Sequence, residues 1–259
     1  MRQKIEKLGK QFKNYHIVLF ENDSIDSSRE MFKQWQKVDA HFTLLDCCSL
    51  GNCNCHLNWQ DASKMKGIIS STRIKKMRFM RQYVLDYIKR RFIDWDYVAV
   101  MDFDLKGAIF EDGFFTTFSN LTGDFDMTFA AGYTTVPIFN SLLLYDGIAF
   151  QPLGKKNGLK KGGDVLKCLY TQLMMNRDLL KFPTPLSILQ CKSGFNGMAI
   201  YAMNSLKNAS YDKTEHICEH VDLHLDMVKN GNDKIYYNPM MILFVGQQGP
   251  TRKSVLFKK

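Results

Sequence analysis

Apolar residues along this chain fall into short β-branched or aromatic runs, separated by longer segments with helical spacing. The runs predict strands over residues 16–20, 42–45, 97–102, 125–130, 142–150, 198–202 and 234–245. Helical spacing predicts helices over 28–36, 72–92, 165–180 and roughly 215–229. The N-terminal part thus reads strand–helix–strand–helix–strand, an order that favours parallel strands covered by helices. Segment 154–163, rich in Gly and Lys, reads as a surface loop, and no repeat or domain boundary stands out. The expectation is a single α/β domain over 1–259 with a mixed, mainly parallel sheet flanked by helices.

Composition narrows the class. With 259 residues, 45% apolar and 24% charged, the chain can bury a core and is neither disordered nor collagen-like. No apolar run approaches the ~20 residues that cross a bilayer. The start, Met1 to Leu8, alternates charged and apolar residues and has no signal-peptide core. The expectation is a cytoplasmic protein or the soluble domain of a longer one. A net charge of +9 suits an anionic partner. Seven cysteines, four of them crowded between Cys47 and Cys55, read as free thiols in a reducing compartment. The Cys53-x-Cys55-His56 spacing does not match a structural zinc site.

The first predicted strand ends in Glu21-Asn22-Asp23-Ser24, at the strand end where open α/β sheets bind ligands. Asp26 or Ser27 can cap the next helix, and Ser27-x-x-Glu30 fits a capping box. That leaves Glu21 and Asp23 as candidates to contact a nucleoside base or ribose.

The strand over 97–102 runs into Asp102-Phe103-Asp104, whose alternation places both carboxylates on one side. Two such acids repel unless a cation relieves them, and Mn²⁺ or Mg²⁺ with oxygen ligands would do so while holding a diphosphate. On the basic helix, Ile74, Met77, Val84, Leu85 and Ile88 form the apolar stripe. Arg73 and Arg81 share another face and could grip phosphates bidentately.

Near the C-terminus, Ser193-Gly194-Phe195-Asn196-Gly197 is a glycine-bearing turn leading into a strand. If 215–229 is helical, Ile217, Val221, Leu225 and Val228 form the buried stripe, with His216, His220 and His224 beside it. Glu215, Glu219, Asp222 and Asp226 then share the opposite face, which predicts that some of them are solvated.

Together, Glu21-Asn22-Asp23-Ser24, Arg73-Ile74-x-x-Met77-x-x-x-Arg81-Gln82, the acidic strand end, Asn196-Gly197-Met198 and Cys218-Glu219 resemble the fungal capsule-associated α-1,3-mannosyltransferase family. The resemblance spans most of residues 16–245 and rests on short blocks in the right order. It departs from the pattern where Gly194-Phe195 replaces a Cys-Trp pair before Asn-Gly. What it implies is a GT-A-like, Rossmann-like fold with a nucleotide-sugar-binding half (1–110) and an acceptor-binding half (111–259). It also implies a metal on the acidic motif, a donor such as GDP-mannose or a UDP-hexose, and a glycan or other hydroxyl acceptor.

The expectation is a metal-dependent, retaining hexosyltransferase. Asp102 and Asp104 hold the metal with His224 as a further ligand, Glu21, Asp23, Arg73 and Arg81 bind the donor with Asp102, and Glu219 serves the acceptor. A nucleotidyltransferase acting on a sugar phosphate would use the same sheet, but it wants a glycine-rich loop after the first strand, and 21–26 holds no glycine. A basic nucleic-acid-binding protein built around Thr72 to Arg91 is disfavoured by the acids at the strand ends, and no nucleic-acid partner is expected.

Overall fold

The computed structural model describes residues 1–22, 24, 26–47, 71–103, 105, 109, 111–136, 141–153, 188–212 and 218–245, the side chains of 71–73, 120, 135–136 and 141–144 excepted. The chain divides into two compact units, Arg2–Phe92 and Ile93–Lys259. The predicted helix over 165–180 lies outside the described residues.

The first unit contains α1 (Arg2–Gly9), β1 (Ile17–Glu21), α2 (Ser28–Val38), β2 (Phe42–Asp46) and α3 (Ser71–Arg91). Strands β1 and β2 are parallel, in register from Ile17 opposite Phe42 to Glu21 opposite Asp46. Their cover is α2, whose buried Trp35 stacks on Phe42 with ring centroids 4.0 Å apart. The expected capping box does not form. Ser27 makes no side-chain cap bond, and Asp26 instead accepts the Ser28 N–H at 2.9 Å. On α3 the apolar stripe is only partly enclosed: Leu85 is buried, and so are two cations, Lys76 and Arg78.

The second unit is built on one sheet with strands β3 (Tyr97–Met101), β4 (Met127–Val136), β5 (Ser141–Leu144), β6 (Gln151–Pro152), β7 (Leu189–Ser193), β8 (Met198–Ala202) and β9 (Ile235–Phe244). Their order is β3-β8-β4-β9-β7-β6, with β5 paired to β4. The described residues of the unit also form the helices α4 (Glu111–Leu121), the single turn α5 (Met203–Leu206) and α6 (Glu219–Lys229).

The sheet is mixed but mostly antiparallel, which corrects the expectation of a mainly parallel one. Among the described strands of this sheet, β4 and β9 alone run parallel. The reason is partner choice. Strand β3 pairs antiparallel with β8, about a hundred residues further on, and periodicity carries no information about such a partner. The expected strand over 142–150 is also shorter. It stops at Leu144, and the chain turns at Asp146 with a left-handed φ of +56°.

The core lies on the central strands, where Met127, Phe129, Ala130, Ala199, Ile200, Tyr201, Ile235 and Leu243 are almost wholly buried. Helix α4, absent from the sequence prediction, is stitched to β9 by Asn238. Its Nδ2 donates to Thr116 and Thr117 Oγ1, each at 3.0 Å. Helix α6 corrects a second expectation. Glu219, Asp222 and Asp226 are buried together with His220, Val221, Leu223 and His224, so the helix is enclosed where an acidic solvent face was expected. Asp226 uses its carboxylate to accept the Ser210 N–H at 3.1 Å.

No described helix is long and apolar enough to cross a membrane. Cys47 is disulfide-bonded, against the expectation of free thiols around it, and its partner lies outside the described residues. Counting cysteines in a sequence cannot show which pair meets. Cys191 and Cys218 are buried free thiols.

Candidate functional site

One turn in the second unit gathers the residues of interest. Residues 194–197 link β7 to β8, and Asn196 and Gly197 both take left-handed backbone, with φ of +53° and +89°. Asparagine and glycine are the residues that accept this conformation most readily. The turn is locked onto β4. Asn196 Nδ2 donates to the Ala130 carbonyl at 2.8 Å. Gly132 lies so close that a Cβ there would stand 2.0 Å from the Asn196 carbonyl oxygen.

On one side of this turn is the acidic strand end. Asp102, half-buried, follows the last residue of β3 and donates its backbone N–H to Gly197 O at 3.0 Å. On the other side is the start of α6. The Phe195 ring stacks on His220 with centroids 3.8 Å apart and planes 17° from parallel. Glu219, the residue before His220, opens the helix. The antiparallel β3–β8 pairing thus ends with Asp102 bonded to Gly197, and the buried aromatic stack holds the start of α6 against Phe195 of the same turn. Asn196 belongs to it and is wholly buried, its Oδ1 lacking a hydrogen-bond partner among the described residues. A buried acceptor left unmet costs about 1–3 kcal/mol.

Glu219 stands where the helix dipole favours an anion. It is joined by a carboxylate that sequence reading passed over. Burial pushes the Cys218 thiol well above its ordinary range, and the nearby charges of Glu219 and Asp146 push it further. Asp146 thus belongs to the same junction. In the sequence, Tyr145-Asp146-Gly147 gives only an ordinary turn signal.

His224, expected as a metal ligand, is engaged elsewhere. Ser193 Oγ donates to the Ala149 carbonyl at 2.7 Å and so accepts from His224 Nδ1 at 2.8 Å. That fixes the tautomer: Nδ1 carries the proton, and Nε2 carries the lone pair and accepts from the Tyr201 hydroxyl at 2.9 Å. Burial lowers the His224 pKa to about 3, so the ring is neutral. With both nitrogens used, no lone pair is left for a cation. Among the described residues there is no cluster of three or more His, Cys, Asp or Glu that could hold a metal. Asp102 offers the hard oxygen donor that Mn²⁺ or Mg²⁺ prefers, and Asp104 lies outside the described residues.

In the first unit, Glu21 is buried and both its oxygens are used. Oε2 accepts from Arg29 Nε at 2.7 Å, and Oε1 from the Ser24 N–H at 2.8 Å. Asp46, its register partner on β2, lies 3.7 Å from the Arg29 guanidinium and 3.9 Å from Lys33 Nζ. Two adjacent carboxylates at parallel strand ends are thus offset by two cations from α2. Sequence reading missed Asp46 and Arg29, because their meeting depends on the β1–β2 register. Arg81 is half-buried on α3, while Asp23 and the Arg73 side chain lie outside the described residues.

No protein-family model matches the chain, and no curated protein matches it. Among solved structures, the chain is similar to A197 from STIV, with a TM-score of 0.39 and 10% identity over 92% of this chain and 97% of that one. At that score and identity the likeness is too distant to bear on chemistry.

Proposed function

We propose that this protein is a metal-dependent glycosyltransferase that moves a hexose from a nucleotide sugar to a hydroxyl acceptor, with GDP-mannose as the preferred donor and retention at the sugar carbon. The observation that carries the reading is the turn at 194–197, flanked by the Asp102 strand end through Gly197 and by the start of α6 through Phe195 and His220. In this reading Asp102, bonded to Gly197, is assigned to the diphosphate side, and Glu219, next to the His220 held by Phe195, to the acceptor side. The block resemblance to the capsule-associated mannosyltransferases supports the same assignment.

In this reading Asp102 and Asp104 would hold Mn²⁺ or Mg²⁺, which when bound offsets charge on the leaving diphosphate. Glu219 accepts a hydrogen bond from the acceptor hydroxyl and orients it toward the sugar carbon. Asp23, Arg73 and Arg81 are assigned to the donor's nucleoside and phosphates. Glu21 serves the donor indirectly, by holding Arg29 and the turn at Ser24. The test is incubation with a panel of nucleotide sugars and Mn²⁺, measuring which nucleoside diphosphate is released. Release of GDP from GDP-mannose, dependent on metal and acceptor, is the expected result. No release from any donor would overturn the reading.

A further inference from the structure

We propose that the second unit carries a carbohydrate-binding cavity, separate from the turn at 194–197. The cavity, of about 380 Å³, lies where β3 begins and β8 ends, and its lining includes Asp94, Trp95, Asp96, Tyr97, Asn204 and Lys207. That volume falls within the span of small-ligand clefts, ~300–1,000 Å³. Asp102 follows the far end of β3, roughly 17 Å from Tyr97 at the rise of an extended strand, so a ligand here leaves the acidic strand end open.

Backbone bonding and aromatic packing fix the walls. The Met203 N–H donates to the Asp96 carbonyl at 2.9 Å, which ties the start of α5 to the residue before β3. The Tyr97 ring stacks on Phe125 with centroids 5.6 Å apart and meets Phe118 edge-on at 5.0 Å. Its hydroxyl stands beside Gly123, where an added Cβ would lie 3.6 Å from it. Gly123 also lines the cavity and holds a left-handed φ of +77°. Glycine thus permits the turn and leaves the hydroxyl uncovered on that side.

The lining selects the class of ligand. Among the described residues, the side chains of Asp94, Asp96, Asn204 and Lys207 and the Tyr97 hydroxyl take part in no hydrogen bond or ion pair. An anion would face the two carboxylates, and a cation would face Lys207. A zwitterionic amino acid would satisfy Lys207 and one carboxylate and leave the other unmatched. A neutral polyol meets them all, since each hydroxyl both donates and accepts. The half-buried Trp95 adds apolar surface of the kind that the C–H face of a sugar ring packs on.

The experiment titrates the ¹⁵N-labelled full chain, without metal or nucleotide, with mannobiose, maltose, cellobiose, lactose and chitobiose, following backbone-amide and indole resonances. The Trp95 indole is assigned among the three tryptophans from the spectrum of Trp95→Phe. At least one disaccharide should bind saturably at about 10 mM or below and shift the Trp95 indole with the amides of 94–97 and 204–207. Asp96→Ala and Asn204→Ala, both at exposed residues, should each weaken that binding at least ~5-fold, while Asp112→Ala on α4 should leave it within ~2-fold. No saturable binding, shifts confined to other residues, or an affinity unchanged in either cavity variant overturns the inference. So does tighter binding of free lysine or glutamate at the same resonances, which would give the cavity to an amino acid. None of these outcomes touches the release of a nucleoside diphosphate from the donor panel, so the transferase reading stands or falls separately.

Discussion

Asp102 donates its backbone N–H to the carbonyl oxygen of Gly197 at 3.0 Å, one step beyond the last β3–β8 register pair, Met101 opposite Met198. The bond fixes the backbone of the acidic strand end to a turn whose own backbone is held left-handed, so the carboxylate of Asp102 projects from a rigid base. Sites built on such supported elements keep their geometry when a ligand arrives.

Asp102→Asn tests the acidic strand end. The change keeps shape and leaves the Gly197 bond intact, because that bond uses backbone. The expected result is a loss of at least ~100-fold in metal-stimulated diphosphate release, with little change in thermal melting. Asp104→Asn should behave likewise. Full activity in both variants would remove this pair from the site.

Glu219→Gln should lower transfer to the acceptor by about 100-fold while nucleotide-sugar affinity stays nearly unchanged. Asp226→Asn should act through stability instead, since its carboxylate holds the Ser210 N–H, and the expected cost is about 1–3 kcal/mol by urea unfolding. Equal and mild effects on transfer at both positions would detach Glu219 from the acceptor.

Glu21→Gln should destabilise the first unit by about 1–3 kcal/mol. The estimate sits below that for a fully buried pair because the Arg29 side chain is 24% exposed. Nucleoside affinity should fall only as far as the fold loosens, so that a second change restoring stability restores binding. Loss of nucleoside binding with an unaltered unfolding midpoint would instead mean that Glu21 touches the ligand directly.

His224 sets a pH dependence of stability. Its pKa falls from 6.5 to about 3 on burial, so above pH 6.5 the folded and unfolded chains both carry it neutral and its contribution is full. As pH drops from 6.5 toward 3, the unfolded chain takes up a proton that the folded chain refuses. Stability then declines by about 1.4 kcal/mol per pH unit from this group. His224→Gln should be less stable at pH 7, having lost the Ser193–His224–Tyr201 chain, yet show a shallower decline between pH 6 and pH 4 in urea unfolding. Parallel declines in the two proteins would show that His224 titrates normally.

Much of the local structure was legible in the residue pattern. Strand-forming runs at 16–20, 42–45, 97–102 and 198–202, and the helix over 72–92, match β1, β2, β3, β8 and α3 closely, because period and β-branching act within a few residues. The tripeptide Asp102-Phe103-Asp104 marked a strand end by the same local logic, and Asn196-Gly197 marked a turn because those residues tolerate left-handed backbone. What the pattern could not hold were facts that depend on distant partners. The antiparallel β3–β8 pairing, the burial of the acids on α6, the engagement of both His224 nitrogens and the Glu21–Asp46 register each arise between segments far apart in the chain. Helix α6 shows why. Its acids at helical spacing have the pattern of a solvated face, yet Glu219, Asp222 and Asp226 are buried, with Asp226 accepting the Ser210 N–H from a segment outside the helix. Periodicity records which residues share a face, and tertiary contacts decide what that face meets.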